Sequence, residues 1–229
     1  MVPHLAQQPV RPSGGQASEA ASYPSASAAG RAPARHGLYA ARPDSVRGEP
    51  GANGNPAESV EAAVHDGSVA ELTLFADYRQ IHVFDEGSQT DLGDAWTDQA
   101  DEDRLAVGED SVALGTTVNV DVTVSVEALD GPPTDDNIDF DHVVEASLHC
   151  SSGRLVIMGC TDYEPDAARF SVSKGWLRLR ASRSNLDRAY QADLDSADDF
   201  ATMERLRLQV WSAGAAAPSV VVRRWIEPE

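Results

Sequence analysis

Val118, Val120, Val122, Val124 and Val126 alternate with Asn119, Asp121, Thr123, Ser125 and Glu127. That period of two marks a strand with one buried face and one wet face, most simply a central antiparallel strand of a half-solvated sheet. Shorter patterns of the same kind recur on both sides of it. Residues 71–76 read as a strand, 79–84 as its continuation or partner, and 111–114 as a brief strand. Residues 142–150 and 154–160 read as a hairpin about Ser151-Ser152-Gly153, and 168–172 with 176–181 as a second about Ser173-Lys174-Gly175. Residues 204–211 alternate with Leu206, Leu208 and Val210 inward, and 218–225 suit an edge strand that leaves Arg223 and Arg224 exposed. Between them lie a polar loop at 85–93, the turn Asp130-Gly131-Pro132-Pro133 and a polar, acidic connection at 190–199. One helix is expected, over 98–105 and ended by Gly108, with Thr97 as N-cap and Asp98, Asp101 and Glu102 near its positive end. Eight to ten short strands with one short helix predict an all-β fold, an antiparallel β-sandwich without internal repeats.

The first 57 residues break the pattern. They are rich in Ala, Ser, Pro, Gly and Arg, with too few large apolar side chains to offset the entropy of ordering, so a disordered tail at 1–57 is expected. Residues 58–64 suit a short helical turn leading into a domain that spans 58–229. Charge divides along the same line. The chain carries −19 overall, but the tail holds five Arg against three acids, which leaves the domain at −21. Such a domain lacks the basic footprint of a nucleic-acid binder and suits a basic protein partner or a strongly hydrated surface. Apolar runs such as Leu155-Val156-Ile157-Met158 fall far short of the ~20 residues a membrane span needs. With no charged and apolar leader pattern and only two cysteines, a cytoplasmic protein with reduced thiols is expected.

Candidate chemistry is sparse. Cys150, Cys160, His142 and His149 invite a zinc reading, but the expected hairpin sets the two thiols about six rungs apart, on the order of 20 Å. That excludes a shared zinc or a disulfide and leaves both as small core residues. The loop holding Asp135, Asp136, Asn137, Asp139 and Asp141 offers oxygens at alternate positions. It fails as an EF-hand because Phe140 stands where glycine is needed and Ala146 where the bidentate glutamate is needed. A looser calcium site between loops stays open, beside the plainer reading of solvated loop acids. There is no nucleophile elbow and no phosphate-binding glycine loop ahead of a helix, so neither enzyme activity nor a cofactor is expected. Trp176, Trp211 and Trp225 suit packing. Trp96, flanked by Asp94 and Asp98, suits either the capping of one end of the sandwich or the anchoring of a basic partner.

Several segments together resemble one family. Tyr78-Arg79-Gln80-Ile81-His82-Val83-Phe84, Trp96-Thr97-Asp98-Gln99-Ala100, Leu105-Ala106-Val107, Val112-Ala113-Leu114 and Phe170-Ser171-Val172-Ser173-Lys174-Gly175-Trp176-Leu177-Arg178-Leu179 are similar to the competence protein J (ComJ) family. The resemblance runs from Leu72 to Trp211, and its most specific part is the Trp-Thr-Asp-x-x-Ala stretch. The Asp101-Glu102-Asp103-Arg104 segment and the N-terminal tail depart from the family's pattern. The resemblance implies a protein that holds a DNA-entry nuclease inactive, with a nuclease as partner and no direct contact to nucleic acid. Charge and resemblance together nominate Asp94, Trp96, Asp98, Asp135, Asp136, Asp139 and Asp141 as contacts that occupy the nuclease's basic cleft. The alternatives are an immunity protein against a toxin nuclease and a calcium-binding or general interaction module.

Overall fold

The computed structural model describes residues 69–228, so the expected tail at 1–57 and the turn at 58–64 lie outside the described residues. In chain order the elements are β1 (Val69–Phe75), β2 (Gln80–Asp85), α1 (Asp98–Asp103), β3 (Leu105–Val107), β4 (Ser111–Gly115) and β5 (Asp121–Leu129). They continue as β6 (His142–Cys150), β7 (Arg154–Gly159), β8 (Ala168–Ser171), β9 (Gly175–Ser184), α2 (Leu186–Ala192), β10 (Arg205–Ser212) and β11 (Val220–Arg223). A six-stranded sheet in the order β1-β5-β10-β9-β6-β11 faces a five-stranded sheet in the order β3-β4-β2-β7-β8. The all-β, two-sheet class expected from the alternating pattern is the observed one.

The valine strand supplies the reason the sheets close. Val122, Val124 and Val126 of β5 are buried, as are Leu206, Leu208 and Val210 of β10 and Leu177, Leu179 and Ala181 of β9. They meet Ile81 and Val83 of β2, Val112 and Leu114 of β4, and Leu155 and Ile157 of β7 in one core. Each of these valine, leucine and isoleucine side chains, fully buried, contributes about 1.5–3 kcal/mol.

Several expectations need correction. β5 pairs with β1 antiparallel but with β10 parallel, so the six-stranded sheet is mixed. The intervening chain, which builds β6 to β9, is long enough to return β10 in the same direction. β2 is neither a continuation nor a partner of β1, since it lies in the other sheet between β4 and β7. Neither expected hairpin forms. β6 pairs with β9 and β11, β7 pairs with β2 and β8, and both glycine-containing turns carry the chain from one sheet to the other. The rung count between Cys150 and Cys160 therefore has no basis. Both are free thiols, Cys150 in the core and Cys160 half-buried against the Asp77 carbonyl.

What holds the first crossing is a carboxylate. Asp85 ends β2 and accepts from the Ser151 amide at 2.9 Å, the Ser151 hydroxyl at 2.6 Å, the Ser152 amide and hydroxyl, and the Cys150 thiol at 3.0 Å. Burial acts to raise its pKa, but the Ser151, Ser152 and Cys150 donors outweigh burial and hold the carboxyl well below the usual range. Burial and the neighbouring carboxylate raise the Cys150 thiol to about 11, which makes it a donor rather than a nucleophile.

The helices also differ from expectation. Thr97 caps α1 by accepting from the Ala100 amide, but the helix stops at Asp103 because Arg104 turns left-handed at φ 52°. Gly108 belongs to the β3–β4 turn that follows. A second helix, α2, covers 186–189, which the sequence reading leaves unassigned, and runs into the connection expected at 190–199, with only Leu186 and Ala189 buried to mark its inner face.

β1 and β7 approach each other closely where both end. A Cβ added to Gly159 would lie 2.2 Å from the Phe75 carbonyl oxygen, and that neighbour is backbone. Gly159→Ala is expected to lower stability by about 2 kcal/mol or more, read as a shift in the urea midpoint. A change under about 0.5 kcal/mol would contradict this close approach.

Candidate partner-binding site

Outward-facing residues of the five-stranded sheet are small near β3 and β4, and that lets the α1 region lie down on them. Ala106 and Ala113 pack with Leu92 and Ala100, and Ala95 and Trp96 close over the group. Trp96 is half-buried, and its indole N–H donates to Gln80 Oε1 at 3.1 Å. The same oxygen lies 3.0 Å from His82 Nε2, so that nitrogen carries the proton, and burial lowers the His82 pKa. The indole is thus fixed in orientation, with one edge to solvent. Around it Asp94, Asp98, Asp101 and Glu102 are exposed, and none forms an ion pair with a described residue.

The far end of α1 is nailed down by a network that the sequence reading missed. Arg224 donates to the Glu102 carbonyl and to the Asp103 carboxylate. His142, fully buried at the start of β6, lies 3.0 Å from the Asp103 carbonyl through Nε2, while Nδ1 accepts from the Trp225 amide at 3.2 Å. These partners require the neutral tautomer with the proton on Nε2, because a proton on Nδ1 would face another N–H. Behind it Arg183 and Glu204 form a buried pair at 2.6 Å, closed by Thr117, whose amide donates to Glu204 at 2.7 Å. Arg183, His142 and Asp85 stand at the inward-facing parity of their strands, and Glu204 continues that parity one residue before β10, where charge has no place unless it is partnered.

Asp135, Asp136, Asp139 and Asp141 lie elsewhere. Asp136 pairs with Arg207 at 2.8 Å, on the side of β10 that points away from the core. That hydrogen bond from Arg207 holds the Asp136 carboxyl below its usual pKa. Asp135 accepts from Asn137, Asp141 accepts from the Leu186 amide at the start of α2, and Asp139 is exposed. The nominated contacts therefore divide between two outer surfaces: Asp94, Trp96 and Asp98 on the five-stranded sheet, the loop acids on the six-stranded one. Asp135, Asp136 and Asp141 are already engaged internally. Among the described residues, no three His, Cys, Asp or Glu side chains converge as a metal site requires.

Most of the domain's basic residues are paired with its own acids. Of its 13 basic residues, Arg104, Arg154, Arg169, Arg178, Arg180, Arg183, Arg207 and Arg224 pair with acids of the domain. The acids around Trp96 form no ion pair among the described residues, although Asp101 shares a cavity wall with Arg79 and Arg104.

Fold and site together define a two-sheet β protein with an acidic, tryptophan-centred face. No family model matches the chain, and no curated protein matches it. Among solved structures, the chain is similar to the crystal structure of ComJ, inhibitor of the DNA degrading activity of NucA, from Bacillus subtilis. That similarity covers 65% of this chain and 100% of the other, at 15% identity and a TM-score of 0.49. It is also similar to crocagin biosynthetic gene J over 63% of this chain and 98% of the other, at 20% identity and a TM-score of 0.43. Both likenesses concern the fold alone. No helix among the described residues is long and apolar enough to cross a membrane.

Burial, together with the Arg183 and Arg104 charges, lowers the His142 pKa to about 4. The unfolded chain, with a His pKa near ~6.5, takes up this proton first, so the contribution is complete above that value and declines as pH falls toward the folded pKa. Between pH 7.5 and 5 the loss is expected to reach about 2 kcal/mol in urea unfolding. His142→Asn should flatten that window; an unchanged slope would contradict the assignment.

Proposed function

We propose that the domain is a binding protein, not an enzyme, and that it inhibits a DNA-cleaving nuclease by seating the face around Trp96 in the nuclease's basic cleft. The observation that carries this reading is the set of exposed, unpaired acids Asp94, Asp98, Asp101 and Glu102 around a half-buried, oriented tryptophan. Support comes also from the −21 charge of the domain and from the family resemblance, whose most specific residues are Trp96 to Ala100. Carboxylates spaced along a helix and its entry turn stand in for DNA phosphates. Long-range attraction then sets a fast association rate, and burial of the indole slows dissociation. The same reading has the protein act in the cytoplasm, in a competence or toxin-immunity setting that the neighbouring gene decides.

Asp135, Asp136, Asp139 and Asp141 stay outside this interface, because three of them already serve internal partners and the loop lies on the other outer surface. The test is DNA cleavage by the nuclease encoded beside this chain's gene, titrated with the full chain. Trp96→Ala with Asp98→Asn should weaken inhibition by about 100-fold or more, as loss of a buried aromatic anchor and a charge contact does. Asp135→Asn with Asp139→Asn should change it less than about threefold, within the range of exposed charges outside an interface. Wild-type inhibition should also weaken as salt rises from about 50 to 300 mM, where screening shortens the reach of the acids. Undiminished inhibition by the first variant would sink the site assignment.

A further inference from the structure

Beside the Trp96 indole two arginines gather on an otherwise acidic surface. A cavity of about 400 Å³ opens between the β1–β2 turn and α1, bounded by Tyr78, Arg79, Gln80, Trp96 and Arg104, with Asp101 at its rim. That size falls within the ~300–1,000 Å³ usual for small-molecule sites. The cavity gathers two guanidinium groups, those of Arg79 and Arg104, in a domain that carries −21.

The backbone holds both arginines in place. Arg79 and Arg104 each adopt a left-handed conformation, at φ 57° and 52°, and Tyr78 does so at 52°. Such backbone costs about 1 kcal/mol per non-glycine residue and needs support from its surroundings. Here the Arg79 carbonyl accepts from the Thr116 amide at 2.7 Å and the Arg104 carbonyl from the Gly115 amide at 2.9 Å. Asn119 accepts from the Arg79 amide at 3.1 Å, and Arg104 Nη1 donates to the Thr116 carbonyl at 3.2 Å. Gly115 permits the approach, since a Cβ there would lie 3.2 Å from the Arg104 Cα. The end of β4 thus aligns two arginine-bearing turns along one wall.

The two guanidinium groups are not equally occupied. Arg79 is exposed and forms no ion pair with a described residue. Arg104 stacks over Trp225 at 4.8 Å and meets the Glu227 carboxylate at 3.2 Å. The Glu227 side chain is half-exposed, at 52%, so its pair is weak and displaceable. A carboxylate therefore already sits against this wall, supplied by the chain itself.

We propose that the cavity is a binding site for a small molecule with a carboxylate on a flat apolar body. The carboxylate bridges Arg79 and Arg104 in place of Glu227, and the flat body lies between Tyr78 and Trp96. Arginine suits this task because its fork matches a carboxylate, and the aromatic walls accept a planar group. The site shares Trp96 and Asp101 with the proposed nuclease face but does not rest on that reading, since it is measured on this chain alone.

The test is calorimetric titration of the full chain with benzoate and with benzamide, which share a shape but not a charge. Benzoate should bind saturably and about tenfold or more tighter than benzamide, the difference expected of one charged hydrogen-bonded contact. Arg79→Gln, at an exposed position, should leave the thermal midpoint in place and weaken benzoate by about tenfold. Glu227→Gln removes the internal competitor and should strengthen benzoate about threefold or more. Equal affinity for benzoate and benzamide, benzoate binding indifferent to Arg79→Gln, or no benzoate binding even by the Glu227→Gln variant would each overturn the proposal.

Discussion

Glu204 and Arg183 are taken wholly out of water, at 0% and 2% side-chain exposure, and one end of the sandwich is arranged around their contact, which leaves Arg183 Nη1 without a hydrogen-bond partner. The pair ties the end of β9 to the start of β10, and Thr117 ties the β4–β5 connection to both. Arg183 also accepts, through its carbonyl, from the amide of Asp141, which fixes the entry to β6 and so places His142. Removing one member of such a pair costs about 3–5 kcal/mol, because the other charge is left unpartnered in a low-dielectric interior. From this anchor the order extends outward through His142 to Asp103 and the end of α1. The C-terminal end of the acidic helix is held by the neutral, buried His142 ring and by Arg224.

That arrangement also explains how a domain at −21 folds without self-repulsion dominating. Its arginines are used as internal ties: Arg178 and Arg180 share Glu145, and Arg154 and Arg169 share Glu86. Acids left over point to solvent, where water and salt screen them. Around Trp96 they stay unpaired beside apolar surface, a combination better suited to a partner than to solvation alone.

Period two made much of the fold legible. The valines of β5 and the leucines of β10 announced their buried faces, and Thr97 announced the start of α1. Strand partners were another matter. Turns such as Ser151-Ser152-Gly153 look like hairpin turns in the sequence, yet they cross between sheets. The deciding interaction, Asp85 receiving the serines, joins residues 66 and 67 positions apart. α2 went unread because two buried residues, Leu186 and Ala189, are too few to set a helical period. The candidate site was half legible: its aromatic and acids stood together in the chain, and the loop acids were grouped with them on charge alone. The buried network was open to the same parity rule that found the core, since Asp85, His142, Arg183 and Glu204 all fall on inward positions.

Amide hydrogen exchange on the full chain, alone and with the nuclease encoded beside its gene, tests most directly whether the tryptophan face is where a partner sits. The expected result is new protection across 93–103, at the entry turn and α1, with the loop at 135–141 exchanging as before. Protection confined to that loop and the outer surface of the six-stranded sheet, or none anywhere on the domain, would contradict it.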